Sequence, residues 1–158
     1  MRYRRQCLEG DTYVNAYESI NDILVNLFRH IWDLEKDAIV TGEFQDITDN
    51  DMHIIEAIGL GEGKMMTEIA RAQKVTVGSL TTSMNSLVKK GYVVRERSEE
   101  DRRVVYICLT EKGARAYHHH AEFHRKMIEA VVQELSPEEL PVLVKCLEKL
   151  CVFFRSYE

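Results

Sequence analysis

Four histidines lie within seven residues of one another in the last third of the chain. The run His118-His119-His120 is followed by His124. On a helix, His120 and His124 are four positions apart, so their side chains lie on one face, a turn from each other. That spacing suits two ligands of one metal ion, although two imidazoles do not complete a tetrahedral site. A solvent-exposed helix with hydrated histidines would give the same pattern.

The cysteines offer a second kind of chemistry. They are Cys7, Cys108, Cys146 and Cys151, and no two of them form a CxxC pair. We expect small buried hydrophobes or unreactive thiols. A redox switch at Cys7 is an alternative, with only Arg4 and Arg5 as nearby cations. A metalloenzyme built on the histidines would need an open metal position and an acid or base, and no such constellation stands out. We therefore predict that the protein is not an enzyme.

Size and charge favour one domain with a polyanionic partner. The chain has 158 residues and a net charge of −5, and residues 1–158 are predicted to form a single domain. The segment from Arg71 to Lys112 holds nine basic and five acidic residues, a net +4 that leaves −9 on the remainder. A positive patch on an acidic body would orient the protein on DNA. No apolar run is long enough to cross a bilayer, so we expect a cytoplasmic protein without a membrane partner.

Long helices are predicted on both sides of the chain centre. Apolar residues keep a helical period from about Thr12 to Val40. A second long helix should follow Gly113 and end near Leu135, and a last helix should start at Ser136 unless Pro141 delays or bends it. Residues 12–40 and 111–155 therefore form a helical part that we expect to join two copies of the chain.

The centre, residues 48–109, is predicted to be a winged helix-turn-helix. One helix begins at the cap Thr48 and ends at Gly59, and a short helix covers Met66–Arg71. The next helix begins at the cap Thr76 and stops at Gly91. Two β runs, 92–97 and 104–109, then flank a charged tip. The fold class is thus mainly α with a small β wing.

The helix after Thr76 has one apolar face and one that is small, polar and largely uncharged. The polar face carries Gly78, Thr81, Thr82, Asn85 and Lys89. Such a face fits the major groove of double-stranded DNA, and a basic hairpin beside it can reach the minor groove or the phosphates. One reader of this size grips DNA weakly, which favours a symmetric dimer with two wings.

The wing resembles the signature of the MarR family of bacterial regulators. The similarity rests on Asp101-Arg102-Arg103 followed by Leu109-Thr110-Glu111-Lys112-Gly113, and the order of helices agrees from about Thr12 to Phe154. The runs Val75 to Thr82 and Glu99 to Val105 are most similar to the branch that represses fatty-acid synthesis genes. This resemblance implies a homodimeric repressor on a palindromic operator, with a long acyl chain on acyl carrier protein as the effector that strengthens DNA binding.

The resemblance also implies roles for individual residues. Arg103 would enter the minor groove and Asp101 would brace the wing tip. Major-groove edges and phosphates would be met by Thr76, Ser79, Thr81, Thr82 and Asn85, and the expected interface is completed by Lys89, Arg95, Arg97 and Arg102. Many relatives have arginine where this chain has Thr82. Direct base readout should therefore be modest, and DNA shape should carry more of the specificity.

The resemblance to this family also implies two candidate effector sites, of which the first would bind an acyl chain. An acyl tunnel between the first helix and the helix after the wing would be lined by Tyr17, Leu24, Phe28, Phe123 and Met127, unless these residues are ordinary core.

Zinc-sensing members take ligands from the first helix, the second helix and the helix after the wing. Glu35, His53, His120 and His124 fall on those positions. Three imidazoles and a carboxylate suit Zn²⁺ or a neighbouring transition metal. We expect no required cofactor, with Zn²⁺ as the candidate ligand. The alternative is a hydrogen-bonded network that links the helices.

Overall fold

Three short helices and a hairpin form the centre of the molecule, and longer helices flank them. The computed structural model describes residues 10–40 and 42–156. The elements in chain order are α1 (Gly10–Asp22), a π-helical turn (Ile23–Leu27), α2 (Phe28–Ile39), α3 (Asp49–Ile58), α4 (Met66–Ala72), α5 (Val77–Lys89), β1 (Val93–Arg97), β2 (Val105–Leu109), α6 (Glu111–Gln133) and α7 (Glu139–Arg155). The predicted class, mainly α with a small β wing, is confirmed.

The first three elements form one uninterrupted helical rod. Asp22 and Phe28, on either side of the π turn, both have right-handed helical backbone angles, so the chain does not break there. The predicted extent, about Thr12 to Val40, agrees with Gly10–Ile39. The π turn was not predicted, because a single wide turn leaves no mark on the apolar period.

The caps of the central helices explain where those helices begin. Thr48 Oγ1 accepts the backbone N–H of Asp51 at 3.2 Å, and Asp51 Oδ2 accepts the N–H of Thr48 at 3.1 Å. This is a reciprocal capping box at the start of α3. Asp51 also accepts Lys90 Nζ at 2.7 Å, so one buried carboxylate ties the start of α3 to the end of α5. Thr76 Oγ1 accepts the N–H of Ser79 at 3.1 Å and caps α5, as predicted.

The hairpin is antiparallel and packs on the core through Tyr92 and Ile107. Its register pairs Val93 with Leu109 and Arg97 with Val105. Tyr92 is fully buried, and its Oη donates to Asp46 Oδ1 at 2.6 Å. The buried core comprises Ile39, Phe44, Ile47, Met52, Ile54, Ile55, Ile58, Ile69, Ala70, Leu80, Met84, Leu87, Tyr92, Val93, Ile107 and Ala116. The core thus fixes α5 and the hairpin against α3 and the start of α6.

The two C-terminal helices begin at places that the sequence only partly indicates. Helix α6 starts at Glu111, three residues earlier than expected, because Thr110 Oγ1 accepts the N–H of Gly113 at 3.1 Å. Helix α7 starts at Glu139 rather than Ser136. Pro141 therefore lies in the first turn, where its missing N–H costs no helical hydrogen bond.

Much apolar surface on the outer helices remains exposed in the single chain. No residue of α7 is buried. Large exposed side chains on the rod and on α7 include Tyr17, Ile20, Phe28, Trp32, Val142, Leu147, Val152 and Phe154. A monomer rarely leaves so many apolar side chains in water. Among the helices of the described ranges, none has the length and apolar character needed to cross a membrane.

Candidate nucleic-acid interface and histidine–carboxylate cluster

Helix α5 presents the expected DNA-reading side chains to solvent. Leu80, Met84 and Leu87 hold its other face in the core. All eleven residues of the expected interface are exposed: Thr76, Ser79, Thr81, Thr82, Asn85, Lys89, Arg95, Arg97, Asp101, Arg102 and Arg103. The residues on α5 are placed to enter a groove of DNA, and those on the hairpin are placed to meet the neighbouring sugar–phosphate backbone. Their individual roles stay predictions.

Several hydroxyl groups on this surface are already hydrogen-bonded within the helix. Thr76 and Ser79 share a contact of 2.9 Å between their hydroxyl oxygens. Thr81 Oγ1 donates to the carbonyl of Val77 at 2.7 Å. A hydroxyl has one donor hydrogen, so Thr81 can offer DNA only its acceptor lone pair and its methyl group. This arrangement favours a modest direct readout of bases.

A contact between β1 and α5 orients Asn85. Arg95 Nη2 on β1 donates to Asn85 Oδ1 at 2.6 Å. Because a guanidinium only donates, the amide oxygen must face Arg95. The amide nitrogen is then left to donate to DNA acceptors such as purine N7 or guanine O6. Bidentate recognition of adenine, which needs the amide oxygen as well, is disfavoured.

Replacing Arg95 by alanine should change which base is preferred at the DNA position that Asn85 contacts, because the side-chain amide of Asn85 becomes free to rotate. Arg97→Ala is the matched control. Arg97 carries the same charge on the same face of β1, but its side chain does not bond to Asn85. Both variants should lower the salt slope of binding by about one per protomer. Fluorescence anisotropy on operators varied one base at a time measures both effects. Identical base preferences for the two variants would contradict the orienting role of Arg95.

The wing tip has a defined backbone. Ser98 Oγ accepts the N–H groups of Glu100 and Asp101 at 3.2 and 3.3 Å, and Asp101 Oδ1 accepts the N–H of Arg103 at 2.9 Å. Val104 N–H also donates to the carbonyl of Asp101 at 2.9 Å. These bonds close the tip and direct the chain through Arg103, whose side chain is exposed.

Three side chains of the histidine cluster converge tightly. Nε2 of His120 and Nε2 of His124 are 3.1 Å apart, and each lies 3.4 Å from Oε1 of Glu35. Ligands at the usual zinc distances are about 3.3–3.4 Å from one another in a tetrahedron. The three atoms therefore already have the spacing of one face of a zinc site. His120 and Glu35 are buried, and His124 is half-buried.

The electrostatics of this triangle favour an uncharged imidazole. Burial lowers the pKa of His120, and His124 lowers it further, while Glu56 and Glu35 oppose the change. A neutral ring keeps a lone pair for a metal ion. Among the described residues, Nδ1 of His120 is the buried side-chain polar atom without a hydrogen-bond partner.

His53 joins the cluster through carboxylates on its own helix. Its Nε2 lies 3.5 Å from Asp49 Oδ1, and its Nδ1 lies 3.8 Å from Glu56 Oε2. Glu56 Oε2 is also 4.0 Å from His120 Nε2. Donor atoms of Glu35, Asp49 and His53 all lie within 4.8 Å of one another. Of the four residues expected as ligands, Glu35, His120 and His124 form one group of close donor atoms, whereas His53 belongs to two further groups, one with His120 and one with Glu35.

Asp49 and Glu56 were missed at the sequence level. The available signal was their position four residues before and three residues after His53, on one side of α3. The other histidines have separate contacts. His119 Nε2 lies 2.8 Å from the carbonyl oxygen of Ala38 and links α6 to the end of α2, whereas His118 is exposed.

The residues expected to line an acyl tunnel form an open surface in one chain. Tyr17 and Phe28 are 66% and 61% exposed. Leu24, Phe123 and Met127 are half-buried. An enclosed site built from these residues needs another wall, which a second copy of the chain could supply. Cys7, the position of the alternative redox switch, lies outside the described residues.

Comparisons with known proteins agree with this geometry. A model of the MarR family matches residues 45–104. The structure of Streptococcus pneumoniae FabT in complex with DNA is similar over 90% of this chain and 99% of the FabT chain, with a TM-score of 0.82 and 36% identity.

Two sequence relatives are regulators of transcription. The transcriptional repressor YetL of Bacillus subtilis (strain 168) is 28% identical over 96% of this chain and 95% of its own. The transcriptional regulator BilQ of Clostridium symbiosum (strain WAL-14163) is 30% identical over 63% of this chain and 69% of its own.

Proposed function

The chain belongs to the MarR family of DNA-binding transcriptional regulators, and we propose that it is a homodimeric repressor of fatty-acid synthesis genes that responds to acyl groups. The observation that carries this proposal is the exposed polar face of α5 beside the basic hairpin, in a chain similar to the DNA-bound FabT. The fatty-acid assignment is supported further by the resemblance of the α5 and wing segments to that branch of the family.

The exposed apolar side chains of the rod and of α7 support the homodimer. Burying them against a second copy would remove a large apolar area from water, which is the main driving force of stable association. Two-fold symmetry would then hold two readers about one helical turn of DNA apart, roughly 34 Å. Sedimentation equilibrium at micromolar concentration should give twice the chain mass. A monomer would overturn the proposal.

Acyl response is tested on DNA from the promoter beside the chain's own gene. Footprinting locates the operator, and anisotropy then measures its affinity with long-chain acyl carrier protein or with the carrier lacking the acyl group. We expect the affinity for DNA to change with the acylated carrier only. Apolar side chains such as Phe28 and Met127 would bind the acyl group rather than the carrier protein. Equal affinities with both would remove the acyl group as effector.

A second function, zinc-dependent repression, is favoured by the triangle of Glu35, His120 and His124. A zinc ion held there, with His53 as the fourth ligand, would supply a bond between the rod, α3 and α6. These residues lie between the helices expected to dimerise and α3 of the DNA-binding part. A zinc ion would therefore fix the angle between the dimerising helices and the DNA-binding part. It would select the conformer in which the two α5 helices of the dimer match the spacing of the operator half-sites.

We expect Zn²⁺ to raise the melting temperature of the wild-type protein and a chelator to reverse this. At a free concentration 100 times the dissociation constant, the stabilisation is about 2.7 kcal/mol. His124→Ala should lose the effect, since it removes one corner of the triangle from a half-buried position. His118→Ala is the control, because His118 is exposed and outside the cluster. Equal zinc response in the two variants would exclude this site. Adding acylated carrier protein in place of Zn²⁺ in the same assay shows which of the two candidate effectors raises the melting temperature.

A further inference from the structure

Two side-chain contacts mark opposite edges of helix α5. On one edge, Arg95 of β1 donates to Asn85. On the other edge, Asn50 Nδ2 in the first turn of α3 donates to Ser83 Oγ at 3.3 Å. Asn85 and Ser83 are two residues apart, which is about 200° round the axis of a helix. The hairpin and the start of α3 therefore flank α5 on opposite sides.

The face of α5 between these two edges is the one expected to enter the major groove. Its residues are exposed, and they include Gly78, Ser79, Thr82 and Lys89. A major groove about 12 Å wide is bounded by one sugar–phosphate backbone on each side. The hairpin is placed to meet one of these backbones. The edge formed by Ser83 and Asn50 is therefore placed to meet the other.

Asn50 and Ser83 bring two donor hydrogens to this edge. Asn50 is exposed and Ser83 is half-buried, so water or a ligand can reach both. A side-chain amide has two N–H donors, and only one of them is directed at Ser83. Ser83 Oγ accepts that bond, which leaves the hydrogen of its own hydroxyl to donate. Two neighbouring donors suit a phosphate oxygen, which only accepts hydrogen bonds.

The acidic residues on either side of Asn50 have partners of their own. Asp51 is buried and pairs with Lys90 at 2.7 Å, at the end of α5. Asp49 lies 3.5 Å from His53, in the histidine–carboxylate cluster. The capping box already uses the backbone N–H groups of Thr48 and Asp51, so side chains supply the donors at this edge. A phosphate there would meet neutral donors beside a carboxylate that Lys90 neutralises.

We propose that Asn50 and Ser83 together bind one phosphate of the operator, on the backbone opposite to the one that the hairpin meets. The inference rests on DNA binding by this chain and is independent of both candidate effectors. Because the two donors are neutral, the contact adds affinity without releasing a counterion and without reading a base. It fixes the position of α5 in the groove from the side of α3.

Asn50→Ala should weaken operator binding about tenfold, because each half of the dimer loses a hydrogen bond to a charged acceptor. The salt slope and the preference for each base should stay as in the wild type, since no cation and no base contact is removed. Ser83→Ala should give a similar loss. Gln45→Ala, which removes an exposed amide from the connection before α3, is the matched control and should bind normally. Fluorescence anisotropy at several salt concentrations measures these effects.

Operators that carry one neutral methylphosphonate, moved from position to position, locate the phosphate itself. One position should weaken binding of the wild type but have no effect on Asn50→Ala, while the other sensitive positions stay sensitive in both proteins. The same sensitivity at every position in the two proteins would overturn the proposal, even if the variant bound more weakly. Failure of the wild type to bind any operator would overturn the proposed function as well. Circular dichroism verifies that each variant is folded.

Discussion

Replacing Arg103 with alanine should weaken operator binding about 100-fold at every salt concentration. The hydrogen bonds around Ser98 and Asp101 close the wing tip and direct the exposed Arg103 outward. An arginine inserted in a narrow minor groove gains from the enhanced negative potential there. A single good contact is worth about 1–3 kcal/mol, and a dimer loses two of them. Anisotropy titrations on the footprinted operator measure this loss.

Lys89→Ala is the comparison for that experiment. Lys89 is an exposed cation at the end of α5, where it would meet phosphate rather than a base edge. Its removal should mainly reduce the salt slope and lower affinity similarly on all sequences. If Arg103→Ala binds the operator as well as the wild type does, the wing has no part in recognition.

Gly113→Ala should destabilise the protein by about 3 kcal/mol or more. Gly113 is buried in the first turn of α6. A Cβ atom there would overlap the carbonyl oxygen of Tyr92 and lie 3.1 Å from its carbonyl carbon. Both groups are backbone, so no side chain can move aside, and the hairpin must separate from α6. Urea unfolding followed by circular dichroism measures the change in the free energy of unfolding.

Gly78→Ala makes the same chemical change where space is available. A Cβ at Gly78 has as its nearest neighbour Thr76 Oγ1, at 3.8 Å. Alanine in this exposed helical position should stabilise the protein by about 0.5–1 kcal/mol. Equal effects of the two substitutions would mean that the packing of α6 on Tyr92 does not limit stability.

The sequence predicts the helices well because their signals are local. Thr48 and Thr76 cap α3 and α5 as expected, since a cap needs only a hydroxyl and the N–H three residues later. The start of α6 was placed too late, because Gly113 resembles a loop residue and only the approach of Tyr92 explains it. Long-range packing of this kind has no periodic signature. The assignment of 48–109 to DNA binding and of 12–40 and 111–155 to dimerisation stays a prediction.

The candidate sites divide in the same way. The spacing of His120 and His124 alone predicts that they form a pair. Glu35 and His53 are predicted as ligands only from the family resemblance. Asp49 and Glu56 looked like ordinary hydrated acids until the structure placed them beside His53. The bond between Arg95 and Asn85 joins a strand to a helix. Sequence periodicity indicates which face a residue occupies, but not which residue of another element it meets.

The π turn at Ile23–Leu27 gives the rod one residue more than an uninterrupted α-helix would use over the same length. Each residue turns an α-helix by about 100°. If this turn became α-helical with all its residues kept, Tyr17 and Ile20 would swing round the axis by roughly that angle relative to Phe28 and Trp32. Deleting one residue there would instead restore a regular α-helix and leave the two segments in their present relative orientation. The single wide turn therefore keeps the exposed apolar side chains before and after it aligned, although the rod carries an extra residue.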